Sequence, residues 1–256
     1  VCLKGEDLPR HVSVYAITGK GKTGFVKSLL YSIAKAPAGK YGALVYDAHD
    51  EYYKTVQVSL VGLKELNMDN IHYYDLHDEK IPKIALTSIS GYDFISVFPD
   101  LTSAQIDACI FMNDLLGDKW LVELVDLDYN EIAKFCKAVL RDLVKDVTIK
   151  ALLRKVRILV QRPCFVKQAG LDFITEVKNK LDAGHICIVN TRNLTDIEER
   201  AVLSIVTSKL LEERKRLLDE EPEKLLQKPI TLIVLEEALS VLSERVLRRG
   251  SNIFVD

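Results

Sequence analysis

The stretch Ala16-Ile-Thr-Gly-Lys-Gly-Lys-Thr23 decides the fold of this chain, because it lies between an apolar run and a helical pattern. The apolar run ends at Tyr15 and is typical of a strand. After the stretch, Phe25, Leu29 and Ile33 repeat at a helical spacing. Strand, glycine loop, Gly-Lys-Thr and helix together form the layout of a phosphate-binding P-loop. The alternative is a plain glycine turn that carries a surface lysine.

The glycine loop predicts an ATP site with a separate role for each polar residue. Backbone N–H groups and the positive end of the following helix would hold phosphate. Lys22 would reach the outer phosphates and take part in catalysis, and the Thr23 hydroxyl would bind Mg²⁺. Ala16 replaces the glycine that usually opens such loops, which adds one methyl group where the chain leaves the strand. The residues expected to bind ATP are Thr18, Gly19, Lys20, Gly21, Lys22, Thr23 and Gly24.

Composition bounds the class of protein. With 256 residues, of which 48% are hydrophobic, the chain suits one large domain or a core with an insertion. It has no run of about 18 apolar residues that would span a membrane, and its first residues lack the apolar core of a signal peptide. The five cysteines are scattered without a Cys-x-x-Cys pair, which indicates a reduced, cytoplasmic protein and argues against metal or redox roles. The net charge of −2 favours a local patch for any nucleic acid, such as a ring pore.

Strand and helix patterns alternate along the chain. Residues 41–47, 184–190 and 229–237 are apolar runs expected to form buried parallel strands. Residues 71–76 and 84–89 are weaker strand candidates. This alternation predicts an α/β fold with a mostly parallel, doubly wound sheet.

A helical segment interrupts the alternation. The segments 102–105 and 128–131 have the pattern of capping boxes, and the helix after the second carries its apolar stripe through Leu143. A third helix has its stripe over residues 149–159, and 195–198 predicts the cap of a long later helix. These stripes are expected to form the core of an inserted helical bundle. The predicted divisions are 1–100 for the first part of the core, 101–165 for the helical insertion, and 166–256 for the second part, which we expect to be incomplete at its end.

Two acidic residues follow the last apolar run. Glu236 and Glu237 give a Walker B-like pattern after residues 230–235. A carboxylate at the carboxyl edge of a strand can hold Mg²⁺, usually through water, and we assign Glu236 to this role. Glu237 can polarise the water that attacks the terminal phosphate, which favours hydrolysis over the phosphate transfer of a nucleotide kinase. The alternative is an ordinary helix start, because carboxylates favour helix N-termini.

Several segments follow one another in the order found in one family of motors. They are Arg10-His-Val-Ser-Val14, the phosphate loop, Asp47-Ala-His-Asp-Glu-Tyr52, Leu101-Thr-Ser-Ala-Gln105, Gly184-His-Ile-Cys-Ile-Val-Asn190 and Leu235-Glu-Glu-Ala238. In these segments the chain resembles the HerA–FtsK group of RecA-like motors, and within it the archaeal HerA DNA-translocating ATPases. The resemblance covers most of the chain and implies a RecA-like P-loop NTPase core with an inserted helical bundle. In the loop that follows the predicted strand at residues 41–47, Asp47, His49 and Glu51 could approach nucleotide or DNA. The alternative is that they are solvated loop residues.

The chain departs from the family pattern at several points. Asp50 stands where the family usually has glycine, and Leu239 stands where histidine often follows Glu-Glu-Ala. The family also has an N-terminal barrel before the position of Arg10, and it takes a trans-acting arginine from beyond the point where this chain stops. We therefore expect the sequence to be a fragment of a longer protein.

The resemblance implies a function. It implies a motor that uses ATP and Mg²⁺ to move double-stranded DNA as a homohexameric ring, with no membrane association. A NurA-type nuclease partner and a role in resecting broken DNA ends are further implications. The alternatives are a conjugation or secretion ATPase of the same superfamily, and a catalytically weak nucleotide-binding assembly module. His72 and His77 lack partners at ligand spacing and are expected to be ordinary surface or core histidines.

Overall fold

The structure is a computed structural model that describes Val14 and residues 21–55, 61–141 and 143–236. The predicted strand that ends at Tyr15 lies outside the described residues, as do Thr18, Gly19, Lys20 and Glu237.

The described chain divides into two compact units. The sheet unit contains the described residues up to Asp75, together with Thr175–Asn193 and 212–236. The helical unit contains Leu76–Ile174 and Leu194–Leu211.

Helices and strands are mixed along the described chain, with a run of five helices between the third and fourth strands, in agreement with the predicted α/β class. The strands are β1 (Tyr41–Asp47), β2 (Ile71–Asp75), β3 (Ile84–Ala85), β4 (Phe165–Val166), β5 (Ile186–Asn190) and β6 (Ile230–Leu235). The helices are α1 (Lys22–Ala34), α2 (Gly91–Val97), α3 (Ser103–Leu116), α4 (Trp120–Asp126), α5 (Ile132–Ala138), α6 (Asp146–Val160), α7 (Phe173–Asp182), α8 (Asp196–Glu220) and α9 (Pro222–Gln227). Short 3-10 turns occupy Leu63–Leu66, Leu86–Ser88 and Gly117–Lys119.

The main sheet is parallel. Its four described strands have the order β2-β5-β1-β6, and each neighbouring pair is parallel. A second, two-stranded parallel sheet joins β3 to β4 in the helical unit. The prediction of a mostly parallel α/β sheet is confirmed.

Helices cover both faces of the main sheet. Successive strand residues point to opposite faces, and Leu30 of α1 clusters with Val45 and Ile188 on one face. On the other face, the Cys187 thiol lies 4.0 Å from the carbonyl oxygen of Val177 in α7. Leu30 is completely buried, and burial of such a side chain stabilises the fold by roughly 1.5–3 kcal/mol.

The helical unit is built around a buried aromatic side chain and one apolar helix face. The Trp120 ring packs edge-on against Phe94 with 5.5 Å between ring centroids, and its indole N–H donates to the Ile89 carbonyl over 2.9 Å. The apolar stripe of α6 is fully buried, as its spacing predicts, at Ile149, Leu152, Leu153, Val156 and Leu159. The capping box at Thr102 and Gln105 is present at the start of α3.

The prediction of a second capping box at residues 128–131 is wrong. The Asp128 carboxylate accepts from the N–H of Asn130, over 2.9 Å, and so closes a local turn in place of capping a helix. Helix α5 begins later, after Glu131, which makes no side-chain cap. Leu143 is not part of its stripe, because the helix has ended, Arg141 has a left-handed φ of 50°, and Leu143 is 69% exposed.

Two strand expectations also need correction. The run 84–89 forms a strand only at β3, and the 3-10 turn Leu86–Ser88 follows at once. Strand β6 is not buried: Ile230 is exposed and its other residues are half-buried. Among the four described strands, β6 is paired with β1 alone.

Candidate functional site

A row of polar residues lies along the carboxyl edge of the main sheet. Asn190, the last residue of β5, is in register with Asp47 of β1 on one side and with Asp75 of β2 on the other. Tyr46 pairs with Leu235, so Glu236 follows β6 at the same edge. In open parallel sheets, ligands bind outside the carboxyl ends of the strands. The topology therefore places the Walker B-like Glu236 and the loop residue Asp47 where a ligand would be bound.

Helix α1 begins with an open N-terminus. Gly21 occupies its N-cap position at a left-handed φ of 91°, with no side-chain cap among the described residues. A Cβ added at Gly21 or at Gly24 would meet no heavy atom of the described residues within 4 Å. The first-turn N–H groups and the helix dipole thus suit an anion, and Lys22 and Thr23 of this turn are half-buried. This geometry fits the phosphate-binding role that the Gly-Lys-Thr motif predicts for these residues.

Asp47 organises the loop after β1. Its side chain is completely buried and accepts from the backbone N–H groups of Glu51, over 3.0 Å, and of Tyr52, over 2.9 Å. Burial raises the pKa of Asp47, although the backbone N–H groups act in the opposite direction. The Asp47 backbone carbonyl also accepts from the N–H of Thr191, over 3.0 Å. Asp47 therefore fixes the loop that carries Glu51, while His49 on the same loop is exposed.

Lys27 joins α1 electrostatically to the carboxylates of the sheet edge. It is buried, with 8% of its surface exposed, and its ammonium group donates to the Val61 carbonyl over 3.3 Å. Burial lowers the pKa of Lys27, and the charges of Glu51, Asp47 and Glu236 oppose that shift. Electrostatic influence of this kind requires proximity. Burial also raises the pKa of Tyr52, and the charges of the same three carboxylates raise it further.

Asp50 occupies a backbone conformation that explains why glycine is usual at this position. Its φ is 57°, in the left-handed region, which glycine adopts most easily and Asp tolerates better than most residues. Its carboxylate accepts from the Lys54 ammonium group over 2.6 Å and from the Tyr73 hydroxyl over 2.8 Å. The Tyr73 oxygen in turn accepts from the Asn190 side-chain amide over 2.9 Å. The Asp50 side chain is thus hydrogen-bonded to β2 directly, and through the Tyr73 hydroxyl it is linked to β5.

The donor set of this edge suits a magnesium–nucleotide complex. Thr23 offers a hydroxyl, and Asp47, Glu51 and Glu236 offer carboxylates. Hard oxygen ligands are those that Mg²⁺ prefers, and it is usually held by one or two carboxylates, phosphates and water. The residues present therefore fit the group that the motif implies. Thr23 and Glu236 stay the predicted Mg²⁺ residues.

Sequence reasoning missed three residues of this edge. Lys27 lies four residues after Thr23 on α1, and its signal is a charge that interrupts the apolar helical pattern. Asn190 has the same signal as Asp47, a polar residue at the end of an apolar strand. Tyr73 has no signal of its own, because its role depends on the hydroxyl contacts that strand pairing creates.

His72 and His77 each contact a residue far away in the sequence. The Nε2 atom of His72 lies 2.8 Å from Nδ1 of His185, because β2 and β5 pair in parallel and bring these distant residues together. The Nε2 atom of His77 lies 3.5 Å from a carboxylate oxygen of Glu198. Because these contacts join residues far apart in sequence, the spacing of the two histidines gives no signal of them.

A parallel α/β sheet with a Gly-Lys-Thr helix start and acidic residues at its carboxyl edge defines the class of P-loop NTPases. The chain belongs to the family described as "Helicase HerA, central domain", which matches residues 1–213. The HerA–FtsK resemblance is thereby confirmed, and the family is one of P-loop ATPases. The match ends before β6, so it does not include Glu236.

Comparison with solved structures gives a distant likeness. The plasmid coupling protein TrwB, solved in complex with the non-hydrolysable ATP analogue ADPNP, has a TM-score of 0.44 and 12% sequence identity. The similar region covers 88% of this chain and 68% of that chain. No curated protein matches the chain. Among the described residues, no helix combines the length and the apolar character needed to cross a membrane.

Proposed function

We propose that this chain binds and hydrolyses ATP at the carboxyl edge of its sheet and works as the ATPase core of a motor that moves double-stranded DNA. One observation carries the proposal: the Gly-Lys-Thr motif forms the N-cap and the first residues of α1, and Lys27 of the same helix lies within electrostatic reach of Asp47, Glu51 and Glu236. The predicted phosphate-binding helix start and the three carboxylates are thus linked through one helix. Such a pair of features is what hydrolysis of a nucleoside triphosphate requires.

Each predicted residue has a role in this proposal. Lys22 pairs with the outer phosphates, and the N–H groups of the loop and of α1 hold their oxygens. Thr23 and, through water, Glu236 would hold Mg²⁺, which when bound neutralises charge on the phosphates. Glu237 polarises the attacking water, and the buried Asp47 keeps the neighbouring loop in place. Lys27 limits the repulsion among the carboxylates around it.

Turnover by matched variants tests the ATPase proposal. We expect Lys22→Ala to lower the rate of ATP hydrolysis by about 10²-fold or more, since removal of one charge-stabilising donor costs that much in other enzymes. Glu237→Gln should stop hydrolysis and leave binding of a fluorescent ATP analogue nearly intact. Lys64→Ala and Glu223→Gln, at exposed positions in the sheet unit, are the controls and should match the parent chain. Unchanged hydrolysis by Lys22→Ala would remove the phosphate-site assignment.

The proposed cargo and assembly come from the family and are tested separately. We propose a homohexameric ring that acts with a NurA-type nuclease in the resection of broken DNA ends. Because a motor of this kind contacts mainly phosphates, DNA binding should be insensitive to sequence, and the logarithm of its affinity should fall linearly with the logarithm of salt concentration. Duplex DNA should stimulate ATP hydrolysis, and light scattering should show hexamers.

The outcomes of the DNA experiment separate the proposed motor from its alternatives. Stimulation by single strands alone would favour a conjugation-type motor. ATP binding without turnover, with or without DNA, would favour a nucleotide-binding assembly module. A salt-independent affinity would contradict a phosphate-directed interface.

A further inference from the structure

A second cluster of chemically reactive side chains lies in the helical unit, apart from the nucleotide-site residues. It consists of His77, Cys164 and Glu198, whose ligand atoms all lie within 4.8 Å of one another. The Cys164 thiol is 3.8 Å from Oε1 of Glu198, and Nε2 of His77 is 3.5 Å from the same oxygen. These three residues come from three segments that are far apart in sequence.

The spacing of these atoms suits a small cation. Zinc binds sulfur at about 2.3 Å, nitrogen at about 2.0–2.1 Å and carboxylate oxygen at about 2.0–2.2 Å, in tetrahedral geometry. Two ligands at such distances and at a tetrahedral angle lie roughly 3.3–3.6 Å apart. The observed separations from Oε1 are close to these values, so the side chains need little movement to reach a common ion.

The surrounding structure orients the carboxylate. The second oxygen of Glu198, Oε2, accepts from the backbone N–H of Thr195 over 2.8 Å and from its hydroxyl over 2.7 Å. Oε1 is thereby directed to the side where Cys164 and His77 lie. Metal sites commonly use outer hydrogen bonds of this kind to fix a ligand, and their loss costs about 10–100-fold in metal affinity.

Burial sets the access to the cluster. Cys164 is completely buried and Glu198 is 2% exposed, whereas 35% of the His77 side chain is exposed. A cation would thus have two buried ligands and one at the surface, and a fourth position could hold water. Three protein ligands with one open position is a common arrangement for zinc.

We propose that His77, Cys164 and Glu198 form a binding site for a zinc-class divalent cation. Thiolate and imidazole ligands select borderline or soft cations, and the hard Mg²⁺ of a nucleotide site prefers oxygen. The scattered cysteines argued against a metal role because their spacing shows no ligand pair, but here a single cysteine joins ligands of other types. A bound cation would cross-link the segment after β2, the residue before β4 and the first turn of α8.

Cobalt substitution tests the site directly. The full chain, freed of any histidine tag and of metal, is titrated with Co²⁺ in the presence of excess Mg²⁺. We expect about one equivalent to bind with the visible bands of tetrahedral cobalt and the near-ultraviolet band of a cobalt–thiolate bond. Zn²⁺ should displace the cobalt and abolish both signals, and elemental analysis should then find zinc.

Variants assign the ligands. Cys164→Ser should remove the thiolate band, and His77→Asn should weaken cobalt binding by about 100-fold or more, because loss of a direct ligand costs at least as much as loss of an outer partner. Thr195→Val should weaken it by about 10–100-fold and keep the thiolate band. Cys109→Ser, at another buried cysteine of the helical unit, is the matched control and should bind as the parent does.

Two results would overturn the proposal. One is a folded chain that gives no thiolate band with Co²⁺, which would show that the three side chains form only a hydrogen-bonded cluster. The other is a thiolate band that survives in Cys164→Ser and disappears in Cys109→Ser. Since His77 is partly exposed, His77→Asn tests the site even if a change at Cys164 prevents folding. Neither result depends on ATP hydrolysis, so the nucleotide-site proposal stands or fails separately.

Discussion

Replacement of Asp50 by glycine and by alanine separates its backbone conformation from its side-chain contacts. Both changes remove the hydrogen bond from Tyr73 and the ion pair with Lys54. The Tyr73 bond contributes about 0.5–1.5 kcal/mol. The ion pair contributes about 0–1 kcal/mol, because Lys54 is half exposed and solvent screens the charge. Each variant should therefore lose about 1–2 kcal/mol of unfolding free energy from its contacts.

The two variants should differ because the φ of residue 50 is 57°. The left-handed conformation destabilises the folded state by roughly 1–2 kcal/mol when residue 50 is alanine, and by almost nothing when it is glycine. Glycine gains more freedom on unfolding, which costs it about 0.5–1 kcal/mol relative to alanine. Asp50→Gly should thus be more stable than Asp50→Ala by about 1 kcal/mol, or about 2–4 °C in melting temperature for a chain of this size.

Thermal unfolding followed by circular dichroism measures the difference. Asp69, an exposed aspartate that is not among the described residues with positive φ, provides the control. There the order should be equal or reversed, because alanine has no conformational penalty. If Asp50→Ala proves as stable as Asp50→Gly, the left-handed backbone does not explain why glycine is usual at this position.

Two further predictions concern stability. Gly184→Ala should lower the free energy of unfolding by about 2–5 kcal/mol, because the φ of Gly184 is 79° and the added Cβ would lie 2.8 Å from the Gly39 Cα. The control is Gly170→Ala, where a Cβ meets nothing among the described residues, and it should change stability by less than about 0.5 kcal/mol. Thermal melts measure both. Burial, with the Lys180 charge, lowers the pKa of His72 and of His185 from 6.5, so their contribution to stability is present above pH 6.5 and is lost as pH falls through the folded values. A His72→Asn, His185→Asn double variant should therefore show a flatter dependence of melting temperature on pH between about 5 and 7. An unchanged slope would contradict the assignment of two neutral, half-buried histidines.

Local patterns in the sequence were sufficient for much of the fold. The stripe of α6 is fully buried at each predicted position, because a helical repeat of apolar residues can be buried only on one face. The capping box at Thr102 formed since its two partners lie three residues apart. The similar pattern at Asp128 failed because a short side chain can also close a turn with its own neighbours. The sequence pattern thus identified the possible capping hydrogen bonds. Whether a side chain capped the helix or closed a local turn depended on which of the two hydrogen bonds was more favourable.

Long-range contacts limited the prediction of sites. Neither the His72–His185 pair nor the His77, Cys164 and Glu198 cluster has a spacing that a reader of the sequence could recognise. Strand pairing and the position of one helix start bring these side chains together. The metal site proposed above is therefore a property of the fold, whereas the phosphate site is a property of a single segment.

Lys27 shows how the two kinds of information combine at the nucleotide site. By sequence it is one more lysine on a helix, and such side chains are almost never buried unless they are paired. Lys27 is nevertheless buried, and the charges of three carboxylates, on the loop after β1 and at the end of β6, oppose the lowering of its pKa by burial. Because it lies one turn beyond Thr23, the same helix presents its open N-terminus to phosphate and a positive charge to the acidic residues. A change at Lys27 would thus leave the carboxylates to repel one another, and its effect on nucleotide binding would pass through Glu51, Asp47 and Glu236 before it reached the phosphates.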